Sequence, residues 1–270
     1  GPRQWRLQTA AGPVPPEQLI AKWIPDGRRD RALGGLAVAA HLATLGIDSG
    51  EPVPAVDGAL AVPVHGGLLA LLRPATGRPL DPADPIDQQF WGDLLGRVHR
   101  ATATYAGPAL VRLGPLDPHG AHLRLEPWLR PAVANATAAL LRLTVSDQLT
   151  YGVVHGDPEP GAFRVDRDTG RMSLVGWGWA ATGLLLYDVA NAVGYIGGID
   201  AAGEFLDGYL AAGPLHPGEV AAGLPVVLRC RWARRADACA RALHTGTSED
   251  PDADRAALDQ AREALVGSAV

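Results

Sequence analysis

The apolar positions of this chain change period along its length, and the changes divide it. Gln18-Leu19-Ile20-Ala21-Lys22-Trp23-Ile24 alternates as a half-buried strand does. Gln4 to Thr9 is a second predicted strand, and Ala10 to Pro16 a Gly/Pro turn between the two. In Asp30 to Leu45 the residues Leu33, Leu36, Ala40 and Ala43 fall near helical spacing, and Gly46 ends the element. Short strands are expected at Ala59–Val64 and Leu68–Leu72. Leu71-Leu72-Arg73 then enters the polar, Pro-rich stretch Pro74 to Pro85, which reads as a hinge. From Asp87 the pattern turns helical, with Phe90, Leu94, Leu95 and Val98 as one stripe. Pro115 to Pro131 reads as loop and Ala132 to Arg142 as helix. Val153-Val154 is a short apolar strand. A hairpin follows, with strands Ala162–Val165 and Met172–Val175 around the turn Asp168-Thr169-Gly170. Further helices are expected at Val189–Ile196, Ala201–Ala212, His216–Gly223, Leu224–His244 and Ala253–Val266. The pattern predicts an α+β protein: a small strand-rich lobe over residues 1–72, a linker over 73–86, and a helical lobe over 87–270 that carries the hairpin region 151–177.

Composition narrows the function classes. The 270 residues suffice for two lobes around a shared cleft. No apolar run is long enough to cross a bilayer, and the longest candidate, Gly183 to Ile196, is broken by Asp188, Asn191 and Gly194. A net charge of −5 leaves no basic footprint for nucleic acid. Gly1-Pro2 reads as the scar of a cleaved tag. No secretory pattern follows it, so a cytoplasmic protein is expected. Cys230 and Cys239 lie nine residues apart in one predicted helix, about 13 Å along its axis. That is too far for a disulfide, and both read as reduced packing thiols. His99, His119 and His122 fit no tight zinc spacing.

Two features carry candidate chemistry. Lys22 is the single lysine of the chain and lies on the alternating strand. His155-Gly156-Asp157 follows the short strand and precedes the hairpin, after which come Trp177 and Tyr187-Asp188-Val189-Ala190. This layout, from about residue 17 to 245, resembles the aminoglycoside phosphotransferase and choline kinase-like family, which shares the two-lobed protein kinase-like fold. The resemblance implies that Asp157 stands where the family's base orients an acceptor hydroxyl, and Lys22 where a lysine contacts nucleotide phosphates. It implies structural roles for His155, Gly156, Trp177 and Asp188, with Asp188 buttressing the His-Gly-Asp loop from a helix start.

The same resemblance exposes four departures. The family's two metal-holding residues, an Asn and an Asp, are here Ala162 and Gly176, which offer no oxygen to a hard ion such as Mg²⁺. The glutamate expected to pair with the lysine is Gly35. Only 21 residues precede Lys22, so the first strand and its Gly-rich loop are expected to be missing or shortened. Gly178 and Trp179 occupy positions that are often acidic. Glu159, Asp166 and Asp168 are the nearby carboxylates, and as turn residues they read as solvated. Asp157 has a structural alternative, a loop carboxylate bonding nearby backbone. The Arg-rich segment Arg229 to Arg235 is either a solvated helix face or an acceptor or partner surface.

Phosphoryl transfer depends on positioning and on neutralising phosphate charge, chiefly by metal. The expectation is therefore a pseudokinase with no metal and no cofactor. It would bind a peptide, a small molecule or a protein partner in the inter-lobe cleft or on the helical lobe, with a peptide-modification or natural-product pathway as one setting. The alternative is a divergent ATP- and Mg²⁺-dependent phosphotransferase acting on a hydroxyl of an antibiotic, sugar or peptide. A different reaction in the same cleft, such as nucleotidyl transfer, is the third reading.

Overall fold

The computed structural model describes residues 3–8, 18–146, 149–166 and 168–267. The first lobe is a five-stranded sheet. Strand β1 (Arg3–Gln8) pairs antiparallel with β2 (Gln18–Pro25), with Gln4 opposite Lys22. Helix α1 (Arg29–Thr44) follows, then β3 (Pro52–Val53), β4 (Val62–Val64) and β5 (Gly67–Leu72). β5 is the centre of the sheet, bonded to β2, β3 and β4. The alternation read in Gln18–Ile24 holds through Leu19 and Ala21, which are buried, and then shifts, because Ile24 rather than Trp23 is the next buried residue while Lys22 and Trp23 are partly open. The predicted Gly/Pro turn at Ala10–Pro16 lies outside the described residues.

The linker is more ordered than its polarity suggests. Arg78 reaches α2 (Pro85–Thr102) and holds the buried Asp87 through both carboxylate oxygens, at 2.6 and 2.9 Å. Its backbone pairs with Val165. Asp84 caps α2 by accepting from the Ile86 N–H, and Pro85 takes the first turn, where it loses no helical hydrogen bond.

The helical lobe continues with α3 (Leu129–Ser146) and strand β6 (Tyr151–Val154). The hairpin is β7 (Phe163–Asp166) and β8 (Arg171–Leu174). Strand β9 (Ala181–Leu184) pairs with β6 and leads straight into α4 (Leu185–Ile196). Sequence reading missed β9 and began α4 four residues late. The run Leu184-Leu185-Leu186 is buried throughout, so it shows neither period. Helix α5 (Gly203–Ala212) packs on α2, and α7 (Pro251–Val266) packs on α6 (Pro217–Thr245). Sequence reading split α6 near Gly223. The helix instead runs through Pro225, because Pro225 and Ala221, whose carbonyl loses its partner, both face solvent. Trp91, Phe163 and Phe205 lie at the centre of the core, with ring centroids 5.6 and 5.7 Å apart.

Candidate functional site

β6 delivers His155-Gly156-Asp157 to the end of the small sheet, and the first turn of α4 places Asp188 beneath them. The Asp188 carboxylate accepts the His155 N–H at 2.5 Å and the Gly156 N–H at 2.9 Å. His99 approaches the same carboxylate at 3.2 Å, and its other ring nitrogen meets the Tyr209 hydroxyl at 2.8 Å. His155, Asp188, His99 and Tyr209 are buried and Gly156 half-buried, so one side chain satisfies two backbone donors with little access to water. His155 turns away from the cleft. Its Nε2–H donates to the Val175 carbonyl at 2.9 Å, and its ring meets Trp177 edge-on at 4.8 Å. Burial pushes the His155 imidazole below its ordinary range, against the opposing pull of the Asp188 charge.

The turn Gly176–Trp179 is clasped from both sides by glycines. A Cβ on Gly35 of α1 would overlap the Trp177 carbonyl oxygen, and a Cβ on Gly156 would overlap that of Trp179. Gly35 is therefore where α1 touches the turn, and a side chain there has no room. Gly176 opens the turn in the left-handed region at φ +91°. Its Cβ direction points at Ala162, 3.9 Å from that methyl. The two positions that implied metal ligands thus face one shared space with a methyl and a hydrogen. Among the described residues no group of three His, Cys, Asp or Glu side chains converges anywhere. The site does not fit Mg²⁺, which requires several oxygen ligands in near-octahedral array.

Asp157 Oδ1 accepts the Tyr195 hydroxyl at 2.7 Å. Burial and the neighbouring Asp157 charge hold the Tyr195 phenol well above its usual range, so it stays a donor. Burial and the same charge raise the Glu159 carboxyl. Asp166 is spent on its own turn, accepting from the Asp168 and Thr169 N–H groups. Behind Tyr195, Arg231 is buried, 5% exposed, and stacks on the rings of Tyr195 and Trp232 at 5.1 and 4.3 Å. Arg234 sits over Tyr187 at 5.6 Å and donates to the Gly114 carbonyl at 2.7 Å. The arginine segment of α6 is thus partly internal, which corrects its reading as a solvated face.

The inter-lobe cleft has a volume of about 1160 Å³. Lys22 and six arginines line it, against two carboxylates, Asp26 and Asp30. Asp26 is paired with Arg29, and Arg73 with Glu51. Lys22 lies behind the turn, with Nζ 3.7 Å from the Cβ direction of Gly178. Burial and then the Arg28 charge hold its ammonium below the ordinary lysine range. The guanidiniums of Arg28 and Arg31 both lie on the Trp179 indole, at 5.3 and 5.2 Å from its centroid. Asp157 is not among the residues lining this cleft. The structure therefore brings Lys22, Gly176 and Trp177 to one wall. Sequence reading missed Arg28, Arg31 and Tyr195. Each was within reach of spacing: Arg28 and Arg31 are three apart at a helix start, and Tyr195 lies seven beyond Asp188 on α4.

A small sheet lobe hinged to a helical lobe, with a His-Gly-Asp loop buttressed from a helix start, defines a protein kinase-like fold. Residues 1–222 match the model of the phosphotransferase enzyme family, and the chain belongs to that family. Amicoumacin kinase hAmiN, solved with AMP-PNP, Ca²⁺ and its ligand Ami, is similar at 21% identity and a TM-score of 0.70, over 94% of this chain and 83% of that one. The microcompartment-associated aminopropanol kinase gives 16% and 0.71, over 92% and 84%. A choline/ethanolamine kinase family protein from Mesorhizobium loti gives 14% and 0.68, over 97% and 85%. At these identities the likeness shows the fold alone. A search of curated protein sequences finds no match. No helix among the described residues is long and apolar enough to cross a membrane.

Proposed function

We propose that this member of the phosphotransferase family is a pseudokinase, which uses its inter-lobe cleft to bind rather than to phosphorylate. The observation that carries this reading is the pair Ala162 and Gly176, which face each other 3.9 Å apart with no oxygen to offer. The family's catalysis depends on charge neutralisation at the transferred phosphoryl group. Here the implied ligands are absent, and of the nearby carboxylates Asp157 accepts from Tyr195 and Asp166 from its own turn. The glutamate that would orient Lys22 is also replaced, at a position where α1 has closed onto the turn. Asp157, held by Tyr195, is left as a loop carboxylate.

One observation favours the second reading, a divergent phosphotransferase acting on a hydroxyl. Asp157 remains ordered by a hydrogen bond, with its second oxygen in no hydrogen bond among the described residues. The deciding experiment follows release of the ATP γ-phosphate, to water or to an acceptor panel, with Mg²⁺ or Mn²⁺ present. The pseudokinase reading expects no turnover above that of an Asp157→Ala variant. Metal-dependent turnover that the variant loses would establish the second reading instead.

A further inference from the structure

Three cations converge on one turn of this protein. Lys22 approaches Gly178 from the sheet, while Arg28 and Arg31 lie on the adjacent Trp179 from the start of α1. Among the described residues none of the three forms an ion pair with a carboxylate. Glu249 lies within electrostatic range of Arg28. Of the two carboxylates nearest Arg28 in sequence, Asp26 is bound by Arg29 and Asp30 lines the same cleft. Gathering like charges at a partly buried place is unfavourable without a partner. Burial and the Arg28 charge both press the Lys22 ammonium toward its neutral form. Trp179 holds both guanidiniums by cation–π attraction, which fixes their planes without consuming their N–H donors.

We propose that Lys22, Arg28 and Arg31, gathered around the 176–179 turn, bind a phosphoryl-bearing polyanion directly, with guanidinium charge taking the place of a metal ion. The inference rests on the pseudokinase reading for the absence of metal ligands, and goes beyond it by naming the chemistry of the ligand. An aspartate at position 176 would recruit a cation and repel free phosphate. Glycine there removes that repulsion from the wall that Lys22 shares. Paired guanidinium forks match phosphate oxygens in geometry and form charge-assisted hydrogen bonds about twice as strong as neutral ones. A metal ion then becomes a competitor, because it draws charge from the ligand before the protein can.

The test is calorimetric titration of sodium pyrophosphate, ADP and citrate into the full chain, in EDTA and again in excess Mg²⁺. Pyrophosphate and ADP are expected to bind in EDTA and to weaken when Mg²⁺ is added. Equal binding of the two places recognition on the phosphates, and tighter ADP binding adds a nucleoside contact; both support the proposal. Arg28→Gln with Arg31→Gln should weaken binding roughly tenfold or more, the loss of at least one charge-assisted hydrogen bond, with an unchanged melting profile. Trp179→Leu keeps both charges but releases their planes, and should weaken binding less than the double arginine variant. Absence of binding in EDTA, tighter binding with Mg²⁺ than without it, or citrate binding as well as pyrophosphate would each overturn the proposal. The first of these leaves the pseudokinase reading standing. Mg²⁺-dependent binding accompanied by phosphate turnover removes that reading too.

Discussion

Gly35 of α1 lies against the carbonyl oxygen of Trp177, so closely that a methyl group at position 35 would overlap it. The two residues are 142 positions apart in the chain and belong to different lobes, and their contact sets how near α1 stands to the cleft turn. A helix-interior glycine is about 1 kcal/mol worse than alanine, so Gly35→Ala would stabilise α1 if nothing opposed it. The carbonyl cannot move without moving the turn, and overpacking of this kind costs about 1–3 kcal/mol. Gly35→Ala should therefore lower stability by a net of up to about 2 kcal/mol. Gly34→Ala is the internal control. Its Cβ would meet Leu110 Cδ2 at 2.8 Å, the far end of a flexible side chain that can swing aside. Urea midpoints of the two variants decide the matter. Equal behaviour would mean that α1 does not rest on the turn.

Asp188 serves the His155 and Gly156 N–H groups at once, so its removal leaves one buried and one half-buried donor without an acceptor. Each orphaned group costs about 1–3 kcal/mol. Asp188→Ala should lower unfolding stability by about 2–4 kcal/mol, and Asp188→Asn, which keeps one oxygen, by less. A loss below about 1 kcal/mol in the alanine variant would show that the loop is held by other contacts.

The lobes and the loop were legible in the sequence because they rest on local signals: the alternation around Lys22, the stripe Phe90–Val98, and the order of His155-Gly156-Asp157, hairpin and Asp188. The departures at Gly35, Ala162 and Gly176 were visible too, but only as missing groups. That Gly35 makes room for the Trp177 carbonyl depends on residues far apart in the chain, which spacing cannot show. Strand β9 was lost because it is short and runs into the fully buried Gly183–Leu186, which has no period. The cationic wall was hidden by the total charge of −5, which sums over carboxylates elsewhere on the surface.

His155 gives the protein a pH dependence with a definite sign. Its imidazole is neutral in the fold and held below the ordinary value of 6.5 by burial. In the unfolded chain it regains that ordinary value. Below pH 6.5 the unfolded state takes up a proton that the folded state refuses, so stability is lost as pH falls from 6.5 toward the depressed folded value. Above 6.5 both states are neutral and this contribution is flat. Urea midpoints between pH 5 and 8 should decline on the acid side. His155→Gln, whose amide can still donate to the Val175 carbonyl, should flatten that decline. An unchanged slope in the variant would assign the pH dependence to other groups.

Restoring the two implied metal ligands tests the cleft from the opposite direction. Ala162→Asn and Gly176→Asp would project from positions whose Cβ directions lie 3.9 Å apart, close enough to share one ion. Aspartate tolerates the left-handed region better than most residues, so the φ of +91° at Gly176 should cost about 1 kcal/mol of stability rather than block folding. In the double variant Mg²⁺ should strengthen ADP binding by roughly tenfold, about 1.4 kcal/mol, and neither single change should do as much. The same aspartate brings a negative charge to the wall that Lys22 occupies, so metal-free pyrophosphate binding should weaken in the variant. Calorimetry with and without Mg²⁺ reads both effects. If Mg²⁺ has no influence on the double variant, the contact of α1 with the 176–179 turn keeps the metal out even when its ligands are present, and Gly35 rather than Ala162 becomes the residue that closes the site.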